Sequence, residues 1–174
     1  MRLRKAAIRQ RVNALVTYRF ESTGLTSFAG LELIREYATR VGLASRLRER
    51  FESSAPVSDF SSTRLVLLIV ALLLGGGRRV RHLDYLRHDP IVQRFSGLDL
   101  IPSRSTVSRW LASLKQRDLE SLAGVNEQLV AETIDQLGLR RLTIDIDGSV
   151  VSTGQQVQWA QRGFNPHHRK VPSY

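Results

Sequence analysis

Apolar residues recur at helical spacing through most of this chain and change to strict alternation near its end. Between residues 30 and 51, Leu31, Ile34, Ala38, Val41, Leu43, Leu47 and Phe51 return every three or four positions with charges between them, which predicts one helix, or two broken near Gly42. Residues 53–58, small and polar with one proline, predict a loop. The run from Leu65 to Leu74 is apolar on every side and predicts a buried helix. It is too short to span a bilayer and too far inside the chain for a signal peptide. Gly75, Gly76 and Gly77 stop it.

A short helical stretch is predicted from Arg78 to about His88, after which Asp89 and Pro90 restart the chain and residues 95–97 break it again. In residues 102–116, Val107, Trp110, Leu111 and Leu114 form an i, i+3, i+4, i+7 stripe, with Ser103 or Ser105 placed to cap the helix start. Residues 118–137 give the clearest helix. Leu119, Leu122, Val125, Leu129, Val130, Thr133, Ile134 and Leu137 form its predicted buried stripe, Asp118 stands at its start and Gly138 follows its end. From residue 141 the period becomes two. Leu142, Ile144 and Ile146 alternate with Thr143, Asp145 and Asp147, which predicts a strand carrying both carboxylates on one face, roughly 6.5–7 Å apart at the backbone. Gly148 and Ser149 predict a turn, and Val150 and Val151 a second, antiparallel strand. Residues 1–24 are basic and weakly periodic, which leaves an arm and a short strand both open.

Composition changes this picture mainly through charge. The 174 residues suffice for one good core or two small ones, and the absence of cysteine excludes disulfides and thiolate metal sites. The net charge of +10 is segmental: residues 1–116 hold the basic excess, residues 117–138 are acidic, and the closing segment is basic again. Arginine supplies nearly all the cations, which suits bidentate phosphate contacts and points to a nucleic-acid partner. Arg104, Ser105, Thr106, Ser108, Arg109 and Lys115 lie off the apolar stripe of residues 102–116, as in a helix that reads a DNA groove, and a helix-turn-helix is predicted around residues 80–116. An ordinary amphipathic surface helix carries the same pattern. The acidic outer face of residues 118–137 is unsuited to DNA, and that helix is predicted to pack on the sheet beginning at Arg141.

Asp145 and Asp147 have three uses in principle. Paired carboxylates hold divalent metal for phosphoryl transfer. The order Asp145, Asp147, Gly148 also resembles the signature of haloacid-dehalogenase-type phosphatases, which would make Asp145 a nucleophile and Asp147 an acid/base, although that family continues into a doubly wound domain for which the residues after Asp147 are too few. The third use is a solvated hairpin. Spacing alone does not choose among them.

The residues downstream of the pair add a second resemblance. Asp145, Asp147, Gly148, Ser149, Val150 and Val151 precede Gly154, Gln155 and Gln156, then Ala160, then Gly163, Phe164, Asn165 and Pro166, and a basic turn reaching Pro172, Ser173 and Tyr174. In order and spacing this resembles the first catalytic segment of bacterial insertion-sequence transposases of the DDE class, group 1, with the detailed likeness over residues 141–174. The resemblance implies a mainly α N-terminal DNA-binding region, residues 1–138, followed by the first β-strands of an RNase H-like α/β catalytic core in residues 139–174. Asp147 then matches the first catalytic Asp and metal ligand, with Ser149 where threonine is usual, and Asp145 is an alternative or auxiliary ligand. Mg2+ is the implied cofactor and the inverted-repeat ends of an element the implied DNA partner. Arg169 and Lys170 fall in a basic loop that would touch DNA backbone. His167 and His168 lack a third ligand for zinc. Nothing in the chain matches the family's second Asp or its Glu, so it is expected to be an N-terminal, truncated portion without strand-transfer activity of its own. A homodimer is expected for the complete protein, and a cytoplasmic, nucleoid-associated location with no membrane segment. A non-catalytic DNA-binding protein competing for element ends is the alternative.

Overall fold

In the computed structural model, which describes residues 26–52, 55, 58–138 and 141–145, short helices follow one another wherever the chain carries a stop or a cap. Helix α1 (Gly30–Arg40) has Glu32 in its first turn and Arg40 in its last, both favourable to the helix dipole. It ends where Gly42 takes φ 65°, a left-handed conformation that glycine adopts without strain, and the Gly42 N–H donates to the Thr39 carbonyl at 3.1 Å. Helix α2 (Leu43–Leu47) then runs into a π-helical turn, Arg48–Glu52, which brings Leu47 and Phe51 into the core. The Glu52 carboxylate accepts hydrogen bonds from the hydroxyls of Ser61 and Thr63, tying this turn to the start of the next helix.

Helix α3 (Ser62–Leu74) is the centre of the fold. Leu65, Leu67, Leu68, Ala71 and Leu72 are buried, and each such leucine contributes roughly 1.5–3 kcal/mol by leaving water. Its stop is the predicted glycine run: Gly76 sits at φ 82°, and the N–H groups of Gly75, Gly76 and Gly77 return to the carbonyls of Ala71, Leu73 and Leu72. A 3₁₀ turn (Val80–His82) leads into the short α4 (Leu83–Leu86), and Asp89 starts α5 (Pro90–Ser96). The Asp89 side chain accepts from the N–H groups of Ile91 and Val92 at 2.9 and 3.3 Å and from the Thr26 hydroxyl at 2.7 Å, with Pro90 filling the first helical position. Helices α3 and α5 pack on each other, α1 packs on α5 and α2, and α3 also packs on the π turn.

Helix α6 (Arg104–Ser113) joins this core through Val107 and Trp110. The Trp110 ring meets Phe51 edge to face, centroids 6.3 Å apart at 88°, and its Nε1–H donates to Ser62 Oγ at 3.2 Å. Helix α7 (Gln116–Leu137) follows at once. It begins two residues earlier than the stripe predicts, and Asp118 caps from inside it: the buried carboxylate reaches back to the Lys115 N–H at 2.7 Å. The predicted buried stripe of this helix is only partly buried. Val125 is enclosed, with Leu122 and Leu129 against the core, whereas Leu119, Val130 and Leu137 are 49%, 48% and 62% exposed. Polar contacts hold α7 along α2 and the π turn instead. Arg46 makes a two-pronged bond to Glu132, 2.7 Å on each arm, Gln128 donates to the same carboxylate at 2.8 Å, and Arg50 reaches the Gly124 carbonyl at 3.4 Å.

The backbone divides into two units, residues 1–136 and 137–174. In the second, the strand predicted from residue 141 is not formed among the described residues: 141–145 are unpaired and exposed, with Ile144 at 72%. Alternation specifies which face a strand would bury, but a strand exists only when another chain segment completes its hydrogen-bond ladder. Residues 146–151, with the predicted turn and second strand, lie outside the described residues, as do residues 1–24. No helix among the described residues is long and apolar enough to cross a membrane.

Two expected outcomes follow from this packing. Trp110→Ala should cost about 3–5 kcal/mol in urea denaturation, as for other buried aromatics; a loss below about 1 kcal/mol would mean that α6 is not anchored through this ring. The hydrogen bond from Arg46, then that from Gln128, holds the Glu132 carboxyl below its ordinary 4.5. A depressed carboxyl stabilises the fold at pH above the unfolded value and loses that contribution as pH falls through the lower folded value. Stability of the wild type should therefore fall more steeply below pH 4.5 than that of Glu132→Gln. Parallel pH profiles of the melting temperature would contradict this.

Candidate nucleic-acid interface

The outward face of α6 is built by what its inward face and its cap require. Ile101 and Pro102 are buried, which fixes the chain entering the helix. Ser103 follows with extended backbone, φ −65° and ψ 152°, and its Oγ accepts the Thr106 N–H at 3.2 Å. The same hydroxyl lies 2.8 Å from Ser105 Oγ and 2.9 Å from Thr106 Oγ1, so a small hydroxyl network closes the first turn. With Val107 and Trp110 inward, Ser105, Ser108 and Arg109 are exposed on the other side, and Arg104, one turn before Val107, is exposed at the flank. Arg104 Nη1 stands 3.8 Å from Asp84 Oδ2, a solvent-exposed pair and hence a weak tether.

Two of the predicted contact residues stand apart from this group. Thr106 is half-buried, its hydroxyl held by Ser103. Lys115 lies beyond the helix, which ends at Ser113, and its backbone N–H is taken by Asp118. Leu114, expected on the helical stripe, has extended backbone at φ −65° and ψ 136°. The connection before α6, residues 97–103, is longer than the three- or four-residue turn of a helix-turn-helix.

Arg78, Arg79 and Arg81 are exposed around the 3₁₀ turn, and that turn packs on α6. Sequence reasoning placed this run on a short helix without assigning it to the interface; the signal was the arginine cluster immediately after the glycine stop. Convergent cations add to one positive field, which draws in a polyanion and is screened by salt. The outer face of α7 is opposite in sign, with Glu120, Glu127 and Asp135 exposed.

Of the two candidate catalytic carboxylates, Asp145 is exposed and Asp147 lies outside the described residues, as do Arg169 and Lys170. Among the described residues no group of three or more His, Cys, Asp or Glu is placed to hold a metal ion. A family model for the Transposase DDE domain group 1 matches residues 9–172. No curated protein and no solved structure gives a match.

The cap makes a measurable claim about α6. Ser103→Ala should destabilise the protein by about 1 kcal/mol in urea denaturation, whereas Ser105→Ala should cost less than about 0.5 kcal/mol. Equal costs would mean that Ser103 does not carry the cap.

Proposed function

We propose, from the premise that this chain belongs to the DDE transposase family, group 1, and so serves DNA transposition, that α6 docks on DNA at the ends of the mobile element. The observation that carries this is the exposed group Arg104, Ser105, Ser108 and Arg109 on a helix whose other side is fixed in the core. Guanidiniums there would pair with phosphate oxygens and the hydroxyls would donate to backbone or base edges. Arg78, Arg79 and Arg81 extend the same basic surface, and Arg169 and Lys170 would add backbone contacts from the second unit.

The family's chemistry is DNA strand cleavage and transfer. We assign its first metal ligand to Asp147, with Asp145 beside it in the sequence. The donor chemistry fits: carboxylates with no thiolate in the chain suit a hard divalent cation such as Mg2+. When bound, that ion supplies the Lewis acidity that phosphoryl transfer requires. The carboxylates hold and orient it, while the arginines hold the DNA phosphates.

Replacing Arg104 and Arg109 together with alanine should weaken duplex binding and lower the slope of log affinity against log salt by about 2, one per lost contact. Unchanged affinity and slope would remove α6 from the interface. For the carboxylates, Mn2+ as a paramagnetic probe should broaden backbone NMR signals at residues 145–149 in the wild type and not in Asp147→Ala. Equal broadening in both would take Asp147 out of the ligand set.

A further inference from the structure

Four arginines converge on a pocket of about 300 Å³ that the α6 surface does not include. Arg35 comes from α1, Arg48 from the π turn, Arg64 from the first turn of α3 and Arg94 from α5, with small and hydroxyl residues such as Thr39, Thr63 and Ser96 between them. The carboxylates near them are unevenly shared. Arg35 engages Glu32 at 3.0 and 2.8 Å and Glu36 at 3.1 Å, and Arg94 approaches the same Glu32 at 3.6 Å. Those pairings draw the Glu32 carboxyl below its ordinary value, the hydrogen bond from Arg35 being the main cause. Arg48 and Arg64 are exposed, and among the described residues neither forms an ion pair with a carboxylate.

Like charges gathered in one concavity repel, and an anion seated between them removes that cost. Planar guanidiniums that can bond through two N–H groups fit phosphate oxygens better than they fit water. The volume exceeds what one phosphate fills. We infer that this pocket takes backbone phosphates of a DNA strand, through Arg48 and Arg64, as a contact separate from α6. The inference rests on the proposal that the chain acts on DNA. A contact of this kind carries no base information, so its loss is felt on every sequence alike.

The test is fluorescence anisotropy of a labelled random-sequence duplex over a salt series, with the full chain and with Arg48→Ala/Arg64→Ala, Arg48→Lys/Arg64→Lys and Arg104→Ala/Arg109→Ala. Circular dichroism melts establish that each variant is folded. The pocket alanine pair should bind about tenfold or more weakly near 0.1 M salt and lose about 2 from the salt slope, while the lysine pair keeps most of both. If the alanine pair does not fold, each single variant should lose about 1 from the slope. A pocket variant that matches wild type while the α6 variant weakens would overturn this proposal and leave the α6 assignment standing. A wild-type chain that binds no duplex at low salt would overturn the premise of both. A pocket variant that binds duplex normally but loses thermal protection by a deoxynucleoside monophosphate would assign the pocket to free nucleotides, against the proposal.

Discussion

Trp110 is held from two directions, by the edge-to-face contact with Phe51 and by its Nε1–H bond to Ser62, and this seating decides where α6 points. Phe51 belongs to the π turn and Ser62 to the first turn of α3, so one indole connects three elements that are distant in the chain. A helix fixed by one large buried side chain, with Val107 one turn before it, has little freedom to rotate about its axis. Its other side is therefore committed to solvent, with Arg109 on that side and Arg104 exposed at the flank. The cationic face follows from the placement of the apolar one.

Charge is divided between neighbouring helices in the same way. Helix α6 and the 3₁₀ turn beside it present arginine, whereas α7 presents carboxylates outward. Arg46, bonded through two nitrogens to Glu132, neutralises a further, half-buried carboxylate of α7 and fastens the later part of α7 to α2 where apolar packing gives out. A polyanion approaching this unit meets attraction at α6 and repulsion at α7, which orients it before any close contact forms.

Punctuation was the most legible part of the fold. Gly42, the Gly75 to Gly77 run, Asp89 with Pro90, and Ser103 each act through backbone conformation or a local hydrogen bond, so a few neighbouring residues suffice to read them. The exposed group on α6 was legible for a similar reason, since Val107 and Trp110 define its opposite side. What failed depends on distant partners. The π turn at Arg48–Glu52 leaves no mark in a three-to-four-residue period. Leu119, Val130 and Leu137 look buried by spacing, yet only Val125 and its nearest apolar neighbours reach the core. Residues 141–145 alternate as a strand does and have none to pair with among the described residues. Thr106 has the chemistry of a contact residue, but the Ser103 cap engages its hydroxyl. Asp147, the proposed first metal ligand, lies outside the described residues, and the order of the motif in the sequence is what singles it out.

The chain belongs to a DDE transposase family, and we read the rigidly seated α6, with its exposed arginines, as the means by which it would meet DNA. Amide hydrogen exchange with and without a random-sequence duplex at low salt tests that claim most directly, because it reports which segments a ligand shields. The account predicts added protection in residues 78–82 and 104–115 and beside Arg48 and Arg64, with the outer face of α7 unaffected. Protection centred on α7, or none in α6 under conditions where the duplex is bound, would contradict it.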